Sequence, residues 1–147
     1  MPLTNYSHQA LLNSLAGNTS NFGALASAPT IYVALSTSAP NMDGTGVTEP
    51  SGATVSDYAR VETAAADWAA ATDADPSVLA NAQAIEFPQL TTASEDWGTV
   101  THFALYDAAT NGNLLGYGAL GTPKNPTEGD TPSFSVGDLE IRLGSPS

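Results

Sequence analysis

Two histidines are the first residues to weigh, because imidazole titrates near neutrality and is the commonest nitrogen ligand of a metal. His8 and His102 each stand alone, and neither has the i, i+4 partner of a zinc-binding helix. His102 alternates with Val100, Ala104 and Tyr106 on one strand face, which is the pattern of a hydrogen-bonded or solvent-facing strand residue. Hard cations need several oxygens at close range. Asp43-Gly44-Thr45-Gly46, Asp73-Ala74-Asp75 and Glu128-Gly129-Asp130 each offer one or two, without the spacing of an EF-hand loop. Asp and Gly at such places also make tight turns for backbone reasons alone.

Glu95 and Asp96 precede Trp97, and an acid beside an aromatic is a feature of some sugar sites. The alternative is that SEDWG is a turn whose tryptophan caps the core. There is no G-x-S-x-G elbow. Gly116-Tyr117-Gly118 follows a strand but opens no helix, so it makes no phosphate loop. The expectation is a protein that is not an enzyme, with no catalytic, cofactor-binding or metal-binding residues.

Bulk properties narrow the field further. Cysteine is absent, which excludes disulfides, thiolate metal sites and a cysteine nucleophile. Arg60, Lys124 and Arg142 face fifteen carboxylates, for a formal net charge of −12. Affinity for nucleic acid comes from Lys and Arg neutralising phosphates, so that partner is not expected. The same sign disfavours an anionic membrane surface. No apolar run reaches the ~20 residues of a membrane span. The stretch MPLTNYSHQALLNSLAG lacks a basic region, so no secretory signal peptide is expected. Only 12% of residues are charged, and alanine and small polar residues fill the gap, as suits a chain lying against other protein.

Several elements must carry these groups. A short helix is expected after Ser7 as its cap, with Leu11, Leu12 and Leu15 on its buried face and Gly17 as its stop. It either packs on its own domain or docks on a neighbouring subunit. Polar residues Asn18 to Asn21 follow. In Thr30–Thr37, Ile31, Val33 and Leu35 oppose Tyr32, Ala34 and Ser36. A Gly/Pro loop covers Ser38–Gly52, and Thr54–Glu62 resumes an extended pattern. The alanines of Thr63–Leu79 favour helix, but Pro76 interrupts them. A short strand lies in Ala84–Pro88, and Thr91–Gly98 is a turn region.

A hairpin then joins arms at Thr99–Tyr106 and Asn113–Leu120 through Asn111-Gly112. On its first arm Thr101, Phe103 and Leu105 share one face. Gly116 and Gly118 predict a bulge or a close backbone approach. Gly121–Pro132 is a polar loop. SFSV and LEIRL supply the last strands, with Leu139, Ile141 and Leu143 facing inward. The pattern predicts a mainly β single domain over residues 1–147, with a helix and arm in 1–29 and a β domain in 30–147. Its architecture is an antiparallel β-sandwich or jelly-roll-like barrel with a short N-terminal helix.

The ordered set VALST, YARVE, AIEFP, WGTVTHFALYDA, GDTPSFS and LEIRL resembles a family of small tailed-bacteriophage virion proteins. The resemblance covers roughly Thr30 to Leu143, and the insert ETAAADWAAATDADPSVLANAQ departs from that family's shorter, more polar spacer. Members are labelled tail fibre proteins, and similar small β-rich proteins serve as capsid decoration, or cement, proteins. The resemblance implies a non-enzymatic structural subunit in the virion, assembled in the host bacterial cytoplasm and acting without a cofactor. Its compact size favours a decoration protein that clamps the major capsid protein, as a homo-oligomer such as a trimer. The alternative is a tail fibre or tail-tip component contacting another virion protein or a host receptor. In a receptor- or glycan-binding role, Trp68, Trp97 and Tyr117 would be the aromatic platform.

Overall fold

The computed structural model describes residues 5–17 and 29–144. The expected polar segment at Asn18–Asn21, and most of the arm before the first strand, lie outside these. The helix α1 spans Asn5–Leu15. It starts earlier than expected, which places Ser7 inside its first turn rather than at its cap. Gly17 ends it as expected, with φ 74 in the left-handed region that glycine adopts without strain. The buried stripe differs from the leucine triplet. Leu12 and Ala16 are buried while Leu11 is 43% exposed. Polar side chains explain the rotation of that stripe. Gln9 Nε2 donates to the Ala71 carbonyl at 2.8 Å, and Asn13 Oδ1 accepts from the Ala71 N–H at 2.7 Å. Two amides four residues apart thus satisfy both backbone groups of one residue, and α1 packs on its own chain.

Among the described residues eight strands follow: β1 (Ile31–Ser36), β2 (Val61–Thr63), β3 (Ser77–Ala80), β4 (Ile85–Glu86), β5 (Val100–Tyr106), β6 (Leu114–Lys124), β7 (Ser133–Phe134) and β8 (Glu140–Leu143). They form open sheets: one four-stranded, in the order β2-β1-β5-β6, and two two-stranded, β3-β8 and β4-β7. The described pairings of β1 with β5, β5 with β6 and β3 with β8 are antiparallel. The mainly β reading with one short helix holds, and among the described residues no sheet closes into a barrel. The alanine-rich stretch after Thr63 makes only a 3-10 turn at Ala65–Asp67 before Trp68 bridges Asn81. Of the extended pattern expected over Thr54–Glu62, only its end is strand.

The chain gathers into two compact units. One holds residues 5–17, 29–30, 63–85 and 134–144. In it α1 packs on β3 and β8, and β3 pairs with β8 in the register Ser77↔Leu143 to Ala80↔Glu140. Asn81 is 1% exposed and locks this unit. Its Nδ2 donates to the carbonyls of Gln83 and Ser135, and its Oδ1 accepts from the Leu139 N–H. Leu139 is buried while Glu140 and Arg142 are exposed, which is the alternation expected of LEIRL.

The other unit holds residues 31–62 and 86–133 and contains nearly all of the four-stranded sheet. Register fixes its two faces. Val33 opposes Leu105 and Leu35 opposes Phe103 on one face, while Tyr32 opposes Tyr106 and Ala34 opposes Ala104 on the other. This is the face assignment that the alternation predicts. Gly118 sits opposite Phe103, and a Cβ there would come within 2.7 Å of the Phe103 ring. Gly116 sits opposite Leu105, just before a register shift between Leu105 and Tyr106. Both expectations for these glycines, a bulge and a close approach, are met on one strand.

Candidate functional site

The groups flagged for chemistry are scattered along the chain. His102 is half-buried on β5, and its Nδ1 lies 2.8 Å from the Thr101 hydroxyl. The side chain of His8 lies outside the described residues. Among the described residues no group of three or more His, Cys, Asp or Glu side chains could hold a metal ion. Asp43 instead holds the Thr45 N–H at 2.9 Å, and the Thr45 hydroxyl donates to the same oxygen. These bonds, the hydroxyl's first, keep the Asp43 carboxyl below its ordinary value near 3.8.

The acid–aromatic trio is a structural node. Glu95 is 2% exposed. Its Oε1 accepts from the Ser56 and Asp57 N–H groups and from the Trp97 indole, at 3.1, 2.8 and 2.9 Å. The Ser56 hydroxyl donates to Oε2 at 3.2 Å. A buried carboxylate is tolerable when hydrogen bonds replace its water, and four donors do that here. Beside it Asp57 Oδ2 accepts from the backbone and hydroxyl of Thr91 and the N–H of Thr92. The Thr91 bonds hold the Asp57 carboxyl below its ordinary value. Asp96 faces outward and accepts from the Gly98 N–H. Trp97 packs edge-on against Tyr58, with ring centroids 5.2 Å apart.

Both tryptophans are therefore removed from the platform expected for a glycan. Trp97 is 2% and Trp68 4% exposed, and the Trp68 indole donates to the Thr63 hydroxyl. Tyr117 alone of the three faces outward, at 37%.

The most elaborate cluster centres on a residue that the sequence marks only as one of three cations. The Arg60 side chain is 7% exposed. Its Nε donates to Glu49 Oε1 at 3.0 Å, and its Nη1 donates to the carbonyls of Ala108 and Asn111 at 2.7 and 2.8 Å. The guanidinium also lies 3.7 Å from the centroid of the Tyr106 ring, a cation–π contact. Glu49 Oε2 in turn accepts from the Tyr58 hydroxyl at 2.8 Å, whose oxygen accepts from the Leu35 N–H. Burial first, and then the Glu49 charge, push the Tyr58 phenol well above its ordinary value. Burial also raises Tyr106. One guanidinium thus ties the Ser38–Gly52 loop to the hairpin connection, and it does so with no group free for acid–base work. The signal in the sequence was the apolar setting of Y-A-R-V, which a solvated arginine does not need.

The other end of that connection is fixed by Asp107, whose two oxygens accept from the Asn113 N–H at 2.7 Å and the Asn113 amide at 2.8 Å. Those bonds, the side-chain one first, hold the Asp107 carboxyl below its ordinary value. Beyond it runs β6, eleven residues long, paired to β5 on one side. It ends the sheet order, and among the described residues no strand pairs with its outer edge. From Ala108 to Thr127 the chain carries no carboxylate, and Lys124 is the only charge. Edge strands are usually blunted by shortness or by charge, and most of β6 has neither.

The family described as "Podophage GP4 fiber I protein gp80" matches residues 2–142. No curated protein matches the chain.

Proposed function

As the chain belongs to the podophage GP4 fiber I protein gp80 family, a family of phage virion structural proteins, we propose that it is a non-enzymatic subunit of a virion fibre. The observation that carries this reading is the family match over nearly the whole chain. The occupied state of the chemical groups supports it, because Glu95, Asp57, Arg60 and Glu49 all spend their hydrogen-bonding capacity on holding loops. Capsid decoration is the second reading, favoured by the compactness of 147 residues. Antibody–gold labelling of intact virions separates the two. Label at the tail appendages is expected, whereas label spread over the shell would establish decoration.

Assembly is proposed to run along the outer edge of β6, with a second copy of this chain as the partner. A subunit of net charge −12 repels its copies, so contact is cheapest where carboxylates are missing. The β6 edge is such a place, and an unpaired strand adds main-chain hydrogen bonds to any partner strand. Sedimentation of the Ala119→Glu variant is the test. The variant is expected to stay monomeric at concentrations where the unaltered chain associates. Unchanged association with an intact fold would remove β6 from the interface.

A further inference from the structure

We infer that Asn111 is a self-modification site, at which the side-chain amide is lost and the Asn111–Gly112 peptide is converted to aspartate or isoaspartate. The reaction needs only water. The Gly112 backbone nitrogen attacks the Asn111 Cγ, the side-chain amide nitrogen leaves as ammonia, and a five-membered succinimide forms. Water then opens either carbonyl of the ring. One opening leaves an ordinary aspartate, and the other leaves an isoaspartate whose main chain runs through the former side chain.

The described asparagines differ in their readiness for this. Asn13, Asn41, Asn81 and Asn113 have their amides held, by Ala71, Thr45, the Gln83–Ser135–Leu139 cluster and Asp107 respectively. Asn125 precedes Pro126, whose nitrogen carries no proton to lose and cannot attack. Asn111 is exposed, its side chain makes no hydrogen bond among the described residues, and the residue after it has no side chain to obstruct ring closure. Arg60 adds an activating contact. Its Nη1 donates to the Asn111 carbonyl, and a cation on that oxygen stabilises the deprotonated peptide nitrogen that must act as nucleophile.

The fold also excludes the simplest protection. Asn111 and Gly112 both have positive φ, at 55 and 78. A Cβ on Gly112 would lie 2.5 Å from Asp107 Oδ1 and 2.7 Å from the Ala108 Cβ. A bulkier residue that would slow the attack therefore cannot occupy this position without moving the connection. Conversion adds one negative charge beside Asp107. The isoaspartate form also displaces the carbonyl that Arg60 grips.

The test incubates the purified full chain in mildly alkaline buffer and maps its peptides by mass, with isoaspartate scored by a protein isoaspartyl methyltransferase. Isoaspartate is expected at Asn111 first, at a rate about tenfold or more above that of any other described asparagine, a barrier lower by about 1.4 kcal/mol. The Asn111→Gln variant is expected to lose nearly all of the early signal. Conversion at Asn41, Asn81 or Asn125 ahead of Asn111, or an undiminished signal in Asn111→Gln, would overturn the inference.

Discussion

Arg60 joins four separate partners through one side chain. Its guanidinium serves a carboxylate, two carbonyls and an aromatic face at once, so truncation leaves part-buried acceptors short of a donor. Arg60→Ala should cost about 3 kcal/mol, because each orphaned acceptor costs about 1–3 kcal/mol and part of the site rehydrates. Arg60→Lys should recover less than half, since an ammonium cannot present the same fork. Chemical denaturation measures both. The same cluster sets the alkaline limit. Tyr58 and Tyr106 have raised phenol values in the fold, so their contribution is complete below the unfolded value near 10 and is lost as pH rises beyond it. Tyrosinate absorbance should therefore show Tyr58 and Tyr106 ionising late, together with unfolding, and Tyr58→Phe should remove one late step. On the acid side Asp43, Asp57 and Asp107 have lowered values. Their contribution is present above about 3.8 and disappears as pH falls below it, so a stability profile should decline there.

At the level of elements, β6 offers a paired test of what its glycines do. Gly118→Ala forces a methyl into the Phe103 ring, and overpacking of this kind costs about 1–3 kcal/mol. Gly121→Ala meets nothing within 4 Å on the same strand and should be neutral or slightly stabilising. Equal effects from the two would mean that strand propensity, rather than the ring contact, sets the cost. These elements were unequally legible. The hairpin, LEIRL and VALST were readable because strict alternation survives wherever one face meets a core. Thr63–Leu79 misled because its alanines score as helix by intrinsic propensity, while the Trp68–Asn81 bridge and the amides of α1 claim its backbone instead. The α1 stripe was misplaced for a related reason. Hydrophobic spacing cannot register that Gln9 and Asn13 have a backbone to meet. Glu95 was visible as an acid beside a tryptophan, but its role depended on Ser56 and Asp57, which no local pattern links to it.

For the molecule as a whole, charge sets the conditions under which the proposed assembly would form. With −12 spread over every stretch from Asp43 onward except the one containing β6, copies repel at low ionic strength. Association measured by sedimentation should strengthen as salt rises from low to physiological and should be weakest in dilute buffer. The opposite trend would point to an electropositive partner instead. The two compact units also differ in when they can exist. Residues 31–62 and 86–133 are all available once the chain has been synthesised past Ser133. The other unit also needs β8 against β3 and the Leu139 backbone against Asn81, which are made after Ser133. Until those leave the ribosome, α1 has an incomplete surface to rest on. A chain arrested with Ser133 outside the ribosome and Leu139 still inside should protect the four-stranded sheet from protease and leave the helix open to it, so translation order writes a schedule into this fold.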